Sequence, residues 1–264
     1  MHQDSVSGLG RTMARLTFGM LAVAAVAAGA GLPGEPKARA AEIVRAAGVS
    51  GGLCVHLGCG DGRLTAELSS GGRFLVHGLD RERAAVEKAR ALLRERGLYG
   101  QVWAERYDAA RLPYAEHLVN LLVAEDLPRA GVPLAEVMRV LAPGGVAYVR
   151  KGASWQKTVK PVPPENDEWS HFLHDASGNA VSRDTVVGPP RRVQWVGDPL
   201  HARSHEHTPT IEAVVSAGGR IFYIADEGPT WSVRKPARWR LVARDAYNGT
   251  LLWKRQIEPW FPHI

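Results

Sequence analysis

A glycine loop joining a strand-like run to a helix-like one constrains this chain most. Leu53–Leu57 (LCVHL) is short and apolar, ends in Gly58-Cys59-Gly60-Asp61-Gly62, and is followed by Arg63–Ser69, which reads as helix. A second apolar run, Val76–Leu79, ends at Asp80. Arg81–Arg96 then carries Val86, Ala89, Leu92 and Leu93 at helical spacing on one face. Asp80 can cap that helix at its start and Gly97 at its end. Glycines at 58, 60 and 62 let the backbone turn tightly and approach a ligand closely. An acid at the end of the next strand can accept hydrogen bonds from both hydroxyls of a ribose. A glycine triplet alone is equally a plain strand-to-helix turn. The ordered set of strand, triplet, helix, strand and acid is far more specific for a nucleotide-like ligand at strand carboxyl ends.

The pattern continues. Gln101–Arg106, His117–Ala124 and Gly145–Arg150 read as three further strands, and Pro133–Leu141 as a helix stopped by Pro143-Gly144-Gly145. Alternating strands and helices predict an α/β fold, a Rossmann-like parallel sheet with right-handed crossovers. The glycine loop and Asp80 should face one crevice.

Composition bounds the rest. A chain of 264 residues, 45% hydrophobic and 23% charged, is globular, with room for one large domain or two small ones. Wholesale disorder, collagen and a multi-span membrane protein are excluded. The net charge of +6 predicts only weak, non-specific attraction to anions. Without a run of five or six Lys/Arg, nucleic acid is not an expected partner. Two cysteines, Cys54 and Cys59, can build neither a disulfide framework nor a four-cysteine zinc site.

Residues 1–40 differ in character from the rest of the chain. Arg11 and Arg15 precede an apolar stretch from Leu16 to Leu32, and Ala28-Gly29-Ala30 and Ala38-Arg39-Ala40 both fit a cleavage pattern. The segment reads as a signal peptide or, as the alternative, an N-terminal membrane anchor at the short limit of a span. The expected location is therefore exported or membrane-anchored.

At this point the chain resembles the class I S-adenosylmethionine-dependent methyltransferases. The resemblance is carried by VHLGCGDGRLTAEL (55–68), HGLD (77–80), RYDAARLPY (106–114) and VMRVLAPGGVAYV (137–149). It implies a methyltransferase domain over 41–151, a transferase activity and S-adenosyl-L-methionine as cofactor. By resemblance, the loop residues Gly58, Cys59, Gly60 and Gly62 lie against the methionine part. Asp80, with Arg81 beside it, holds the ribose, and Asp108-Ala109 lie by the adenine. Ala124-Glu125-Asp126 would face the methyl group, and the Pro-Gly-Gly segment is structural. Two departures stand out. Where the family has an acid near the methionine ammonium, this chain has His56: a charged imidazole there would repel the ammonium, and a core or hydrogen-bonded histidine is the equal alternative. The sheet is also expected to stop at five strands, without the family's last two. The sequence names no catalytic residue. Glu125, Asp126 and Tyr114 are options for substrate contact, each also readable as a solvated loop residue.

Beyond 151 the character changes. Seven of the eight tryptophans lie from Trp155 onward, and helical periodicity gives way to short Val/Ile/Tyr/Trp runs, which marks a second unit. Residues 152–209 read as a Pro/His/Trp-rich linker. His171-x-x-His174-Asp175 and His205-Glu206-His207 hold metal-type side chains but no complete zinc signature, so no metal site is expected. In 210–264, Ala213–Ala217 and Arg220–Ala225 flank Gly218-Gly219, and Arg240–Ala246 and Thr250–Ile257 flank Tyr247-Asn248-Gly249. These are hairpin signals. LVARDAYNGTLLWK (241–254) resembles a repeat of the quinoprotein-like (PQQ-like) β-propellers, which implies structural roles for Asp245, Gly249 and Trp253. A ring takes roughly four to eight blades, and one fits before Ile264. Further blades or a partner chain are therefore expected. A quinone oxidoreductase ranks low, because one blade cannot enclose a cofactor.

Two functions remain. One is a methyltransferase of unknown substrate fused to the start of a propeller. The other is an exported propeller-type binding or scaffold protein whose methyltransferase-like domain has decayed. The leader, because S-adenosylmethionine is made in the cytoplasm, and His56 favour the second; the motif order favours the first.

Overall fold

The computed structural model describes residues 35–108, 110–185, 188, 193–199, 201, 210–232 and 234–258. Residues 1–34, which hold most of the segment read as a leader, Ala109, and His205 with His207 fall outside the described residues. Among the described residues, no helix is long and apolar enough to cross a membrane.

The first unit opens with α1 (Pro36–Ala47), whose buried Ala40, Ile43, Val44 and Ala47 fall on one helical face. Proline in its first turn and left-handed Gly48 at its end delimit it. The boundary expected at 40/41 falls inside this helix. The strands β1 (Gly52–Leu57), β2 (Phe74–Asp80), β3 (Val102–Arg106), β4 (Val119–Ala124) and β5 (Leu141–Lys151) pair parallel with one another. The helices between them are α2 (Arg63–Glu67), α3 (Arg83–Glu95), α4 (Leu127–Ala130) and α5 (Leu134–Val140). Gly97, at φ 66°, follows α3 and donates back to the Arg94 carbonyl, as the sequence predicts.

The expectation of five strands needs correction. A sixth, β6 (Ser154–Val159), lies antiparallel to β5, giving the order β3-β2-β1-β4-β5-β6. It also removes the start of the proposed linker at 152. Trp155 is its anchor, buried and stacked on Tyr148 at 4.9 Å. As an edge strand it buries little else, so its sequence carries a weak strand signal.

Side chains of β1 alternate between two cores. Cys54 joins Ile43, Phe74, Leu93 and Leu121 on the α1/α3 side. Val55 and Leu57 join Leu79, Leu122, Val137 and Leu141 on the α4/α5 side. Truncating one of these fully buried leucines or Ile43 to alanine would cost about 2–5 kcal/mol. Gly145 has no room for a side chain: a Cβ there would sit 2.7 Å from the Val119 carbonyl. The Pro-Gly-Gly segment therefore lets β5 close against β4.

The second unit is a four-stranded antiparallel meander, β7 (Ile211–Ala217), β8 (Arg220–Asp226), β9 (Trp239–Asp245) and β10 (Leu251–Gln256), in the order β10-β9-β8-β7. The turn after β9 meets the amino ends of β1 and β4. Asn120 Oδ1 accepts from the Leu53 N–H (2.8 Å) and from Asn248 Nδ2 (2.6 Å), while its Nδ2 donates to Asp245 Oδ2 (2.8 Å). Gly52 makes this possible, because a Cβ there would lie 2.1 Å from Asn120 Oδ1. Gly249 is required by Trp195, whose ring a Cβ would meet at 2.4 Å.

Candidate active site at the carboxyl ends of the parallel strands

The sheet order reverses between β1 and β4, so a crevice opens at the carboxyl ends of these strands. Register fixes what stands there. Leu57 pairs with Leu79 on one side and Ala124 on the other. The next residues, Gly58, Asp80 and Glu125, therefore emerge side by side from three adjacent strands.

Asp80 organises the loop. Its Oδ2 accepts from the Gly60 N–H at 2.9 Å and its Oδ1 from the Glu82 N–H at 3.0 Å. This fixes the carboxylate and leaves each oxygen further acceptor capacity. Asp80 thus turns toward the glycine loop, whereas the capping role expected of it at α3 is limited to the Glu82 N–H just before that helix. The Gly58 and Cys59 N–H groups donate to the Leu79 carbonyl, tying the loop to β2.

The glycines serve different ends. A Cβ at Gly58 (φ 74°) or Gly60 (φ 55°) would meet nothing within 4 Å. Their open side is space in the crevice rather than packed protein. At Gly62 (φ 83°) a Cβ would lie 2.8 Å from that of Ala89, so this glycine lets the loop close on α3. The helix after the loop, α2, is barely more than one turn, shorter than the Arg63–Ser69 expected.

A hollow of about 500 Å³ is lined by Gly58, Gly60, Asp80, Arg81, Asp108, Glu125 and Asp126, among others. That is within the usual size of a small-molecule site, roughly 300–1,000 Å³. Of the sequence-nominated residues, Gly58, Gly60, Asp80, Arg81 and Asp108 thus share one cavity. Tyr107 braces its floor, donating from its hydroxyl to the Ala130 carbonyl at 2.6 Å. Asp126 caps α4 by accepting from the Arg129 N–H at 2.9 Å. Tyr114 turns away: its hydroxyl lies 2.6 Å from His77 Nδ1, which commits it to the core.

A smaller hollow, about 280 Å³, adjoins the first through Gly58, Gly60 and Glu125. Arg39, His56 and Cys59 also line it. Cys59 is no nucleophile there, since burial, with Asp80 next, pushes its thiol up to about 12. His56 is 2% exposed, and its Nδ1 lies 2.8 Å from Thr65 Oγ1. Burial, helped by the Arg39 guanidinium and opposed by Asp80, pulls its imidazole down to about 4. The ring is neutral near pH 7, so the repulsion expected of a charged imidazole does not arise. Sequence reasoning missed Arg39, which reaches in from α1 to pair with Glu125 at 2.8 Å.

The histidine cluster is a loop device. His174, 3% exposed and at φ 70°, lies with Nε2 2.7 Å from Asp167 Oδ2 and Nδ1 3.4 Å from Asp175 Oδ2. Asp167 also accepts from the Arg183 N–H, the main reason its carboxyl is held well below the usual range. Among the described residues, no three His, Cys, Asp or Glu side chains group to hold a metal.

Comparison with known proteins gives a match to part of the chain. No curated protein matches the chain. Among solved structures, a putative S-adenosyl-L-methionine-dependent methyltransferase from Methanococcus maripaludis is 24% identical, with a TM-score of 0.40, over 45% of this chain and 56% of that one. Geranyl diphosphate C-methyltransferase from Streptomyces coelicolor, solved with Mg2+, geranyl diphosphate and S-adenosyl-L-homocysteine, is 20% identical, with a TM-score of 0.39, over 42% and 44%. The match thus spans about half the length of these proteins. Residues 55–145 match the family model described as a methyltransferase domain, and every residue lining the larger hollow falls within that segment.

Proposed function

We propose that the first unit is an S-adenosylmethionine-dependent methyltransferase domain, with the cofactor's nucleoside in the larger hollow. The observation that carries this is the cradle at Gly58 and Gly60. Their Cβ positions are empty, and they face a carboxylate locked in place by two backbone N–H groups. The residues fit the group. Asp80 has acceptor capacity left for a ribose diol, giving charge-assisted hydrogen bonds. Arg81 and Asp108 flank it on the same wall. Bound there, S-adenosylmethionine supplies an electrophilic methyl group on a sulfonium.

The chain's own part is to bind, orient and enclose. Methyl transfer needs a nucleophile held in line with the sulfonium, which is mainly a matter of positioning. Asp126, just past the end of β4, lines the larger hollow where an acceptor would approach. We assign it to substrate contact and leave the acceptor unnamed. The test is calorimetric titration of the full chain with S-adenosylmethionine and S-adenosylhomocysteine. The wild type should bind both, and Asp80→Ala should weaken both about ten- to a hundredfold, the value of hydrogen bonds to a charged group. Unchanged affinity in Asp80→Ala would move the site elsewhere.

The meander 211–256 reads as the first blade of a quinoprotein-like propeller, and the leader as an export signal or membrane anchor. The second reading, a scaffold with a decayed methyltransferase-like domain, rests on that leader. It gains if the wild type shows no heat with either cofactor form.

A further inference from the structure

The smaller hollow holds hydrogen-bonding capacity that the protein itself leaves unused. Arg39 Nε and His56 Nε2 are both buried and have no hydrogen-bond partner among the described residues. Buried polar groups in native proteins are nearly always paired, so two orphans lining one hollow point to something that occupies it. The same wall carries a cation and an anion, Arg39 and Glu125, in contact at 2.8 Å. Their side chains are 24% and 34% exposed, so a ligand can reach both. Gly58 and Gly60 line this hollow and the larger one, so one molecule can extend from one into the other.

We propose that Arg39 and Glu125 grip the amino-acid end of the cofactor, the guanidinium taking its carboxylate and Glu125 its ammonium. This rests on reading the larger hollow as the S-adenosylmethionine site. An α-amino acid group carries opposite charges one carbon apart, and this adjacent pair on the hollow's wall presents the complementary charges side by side. Glu125 follows directly on Ala124, which pairs with Leu57, so its carboxylate stands beside the glycine loop. It supplies from β4 the negative charge that His56 does not supply from β1. His56 closes the end of the hollow through its remaining ring nitrogen, with Thr65 holding the other. Arg39 belongs to α1, so that helix becomes part of the cofactor site rather than a cover over the sheet.

A plain helix-to-strand ion pair would have the same geometry, and a pair of probes separates the two. S-Adenosylhomocysteine carries the amino-acid end; 5′-methylthioadenosine is the same nucleoside thioether without it. Both are titrated into the full chain and into Glu125→Gln and Arg39→Ala, with thermal melts as a check on folding. The wild type should prefer S-adenosylhomocysteine. Each variant should lose about ten- to a hundredfold for it while holding 5′-methylthioadenosine within about twofold, and Arg39→Lys should recover part of the loss. Variants that bind both probes like the wild type, or that lose both equally, overturn the assignment but leave the nucleoside site standing. If the wild type binds neither probe, the cofactor reading itself falls and takes this one with it.

Discussion

The two ends of the parallel sheet use the same chemistry to opposite effect. At the amino ends, Asn120 meets Leu53, Asp245 and Asn248, and its amide has partners on both its oxygen and its nitrogen. Asn248 adds a bond to the Leu118 carbonyl at 2.8 Å. At the carboxyl ends, the Asp80 oxygens keep spare acceptor sites, and Arg39 Nε and His56 Nε2 have no partner among the described residues. A polar cluster that satisfies itself is a joint. One that is held rigid and left short of partners is built for a ligand. The glycines divide in the same way: Gly52 and Gly62 are demanded by neighbouring protein atoms, Gly58 and Gly60 by nothing within 4 Å.

The sharpest way to break that comparison is to fill one glycine of each kind. Gly62→Ala puts a methyl against Ala89 in a left-handed backbone, and overpacking plus that strain should cost about 2–5 kcal/mol of stability. Gly60→Ala meets only the backbone strain, about 1–2 kcal/mol. It should nevertheless abolish detectable S-adenosylhomocysteine binding while Gly62→Ala, where it still folds, keeps it. Denaturant melts and calorimetry on the same two variants decide the matter; equal stability losses would dissolve the distinction between packing glycines and cradle glycines.

A pH series addresses the buried end of the site. The His56 imidazole falls from an ordinary value near 6.5 to about 4 on folding. The unfolded chain therefore binds more protons between those values. Stability from this group is complete above about pH 6.5 and is lost as pH falls toward 4, by up to about 3 kcal/mol. His77, pulled down to about 4 by burial, acts in the same window. The carboxyls held low, such as Asp167 and Glu136, act at more acid pH. His56→Gln should flatten but not abolish the slope between pH 6.5 and 5, since His77 and His117, both pulled down by burial, remain to titrate. A slope unchanged in that variant would mean the ring is already solvated.

The opposite end is probed by Asn120→Ala. It leaves the Leu53 N–H and the Asp245–Asn248 turn without their shared partner, which should cost about 1–3 kcal/mol. Because the lesion lies at the far end of β4, S-adenosylhomocysteine affinity should not move. A drop in affinity would show the two ends to be coupled through the sheet.

How much of the molecule is readable in its sequence depends on which forces act locally. All five parallel strands and α3 announce themselves, because their apolar periodicity and terminal glycines are encoded within a few residues. Gly58, Gly60 and Asp80 are legible for the same reason. Helix α1 is not, since its alanine-rich start abuts an apolar segment of similar composition. Strand β6 is not either, because SWQKTV buries only Trp155 deeply. Asn120 and Arg39 look like ordinary polar residues until tertiary structure brings in their partners. Asn120 waits on Asp245, 125 positions later, and Arg39 on Glu125 across the sheet. The exchange of an acid for His56 is visible, but its consequence is not. Only burial shows the ring to be neutral, and only the register of β4 shows a carboxylate standing nearby.

The carboxylate beside His56 yields the smallest and most discriminating effect. If the seat of the ammonium were vacant, His56→Asp would fill it and tighten S-adenosylhomocysteine binding by about ten- to a hundredfold. With Glu125 already in that role, a second carboxylate gains little. It would be buried, would compete for Arg39 and would stand near Asp80, whose charge His56 already senses. The expected change is under about threefold, less than 1 kcal/mol, together with a measurable loss of stability from the buried charge. Calorimetry on His56→Asp alone and combined with Glu125→Gln reads this directly. The double variant should regain part of what Glu125→Gln loses, because the acid at 56 then has an ammonium to meet. A large gain in the single variant would instead return Glu125 to the role of a helix partner and leave Arg39 as the sole charge at that end of the site.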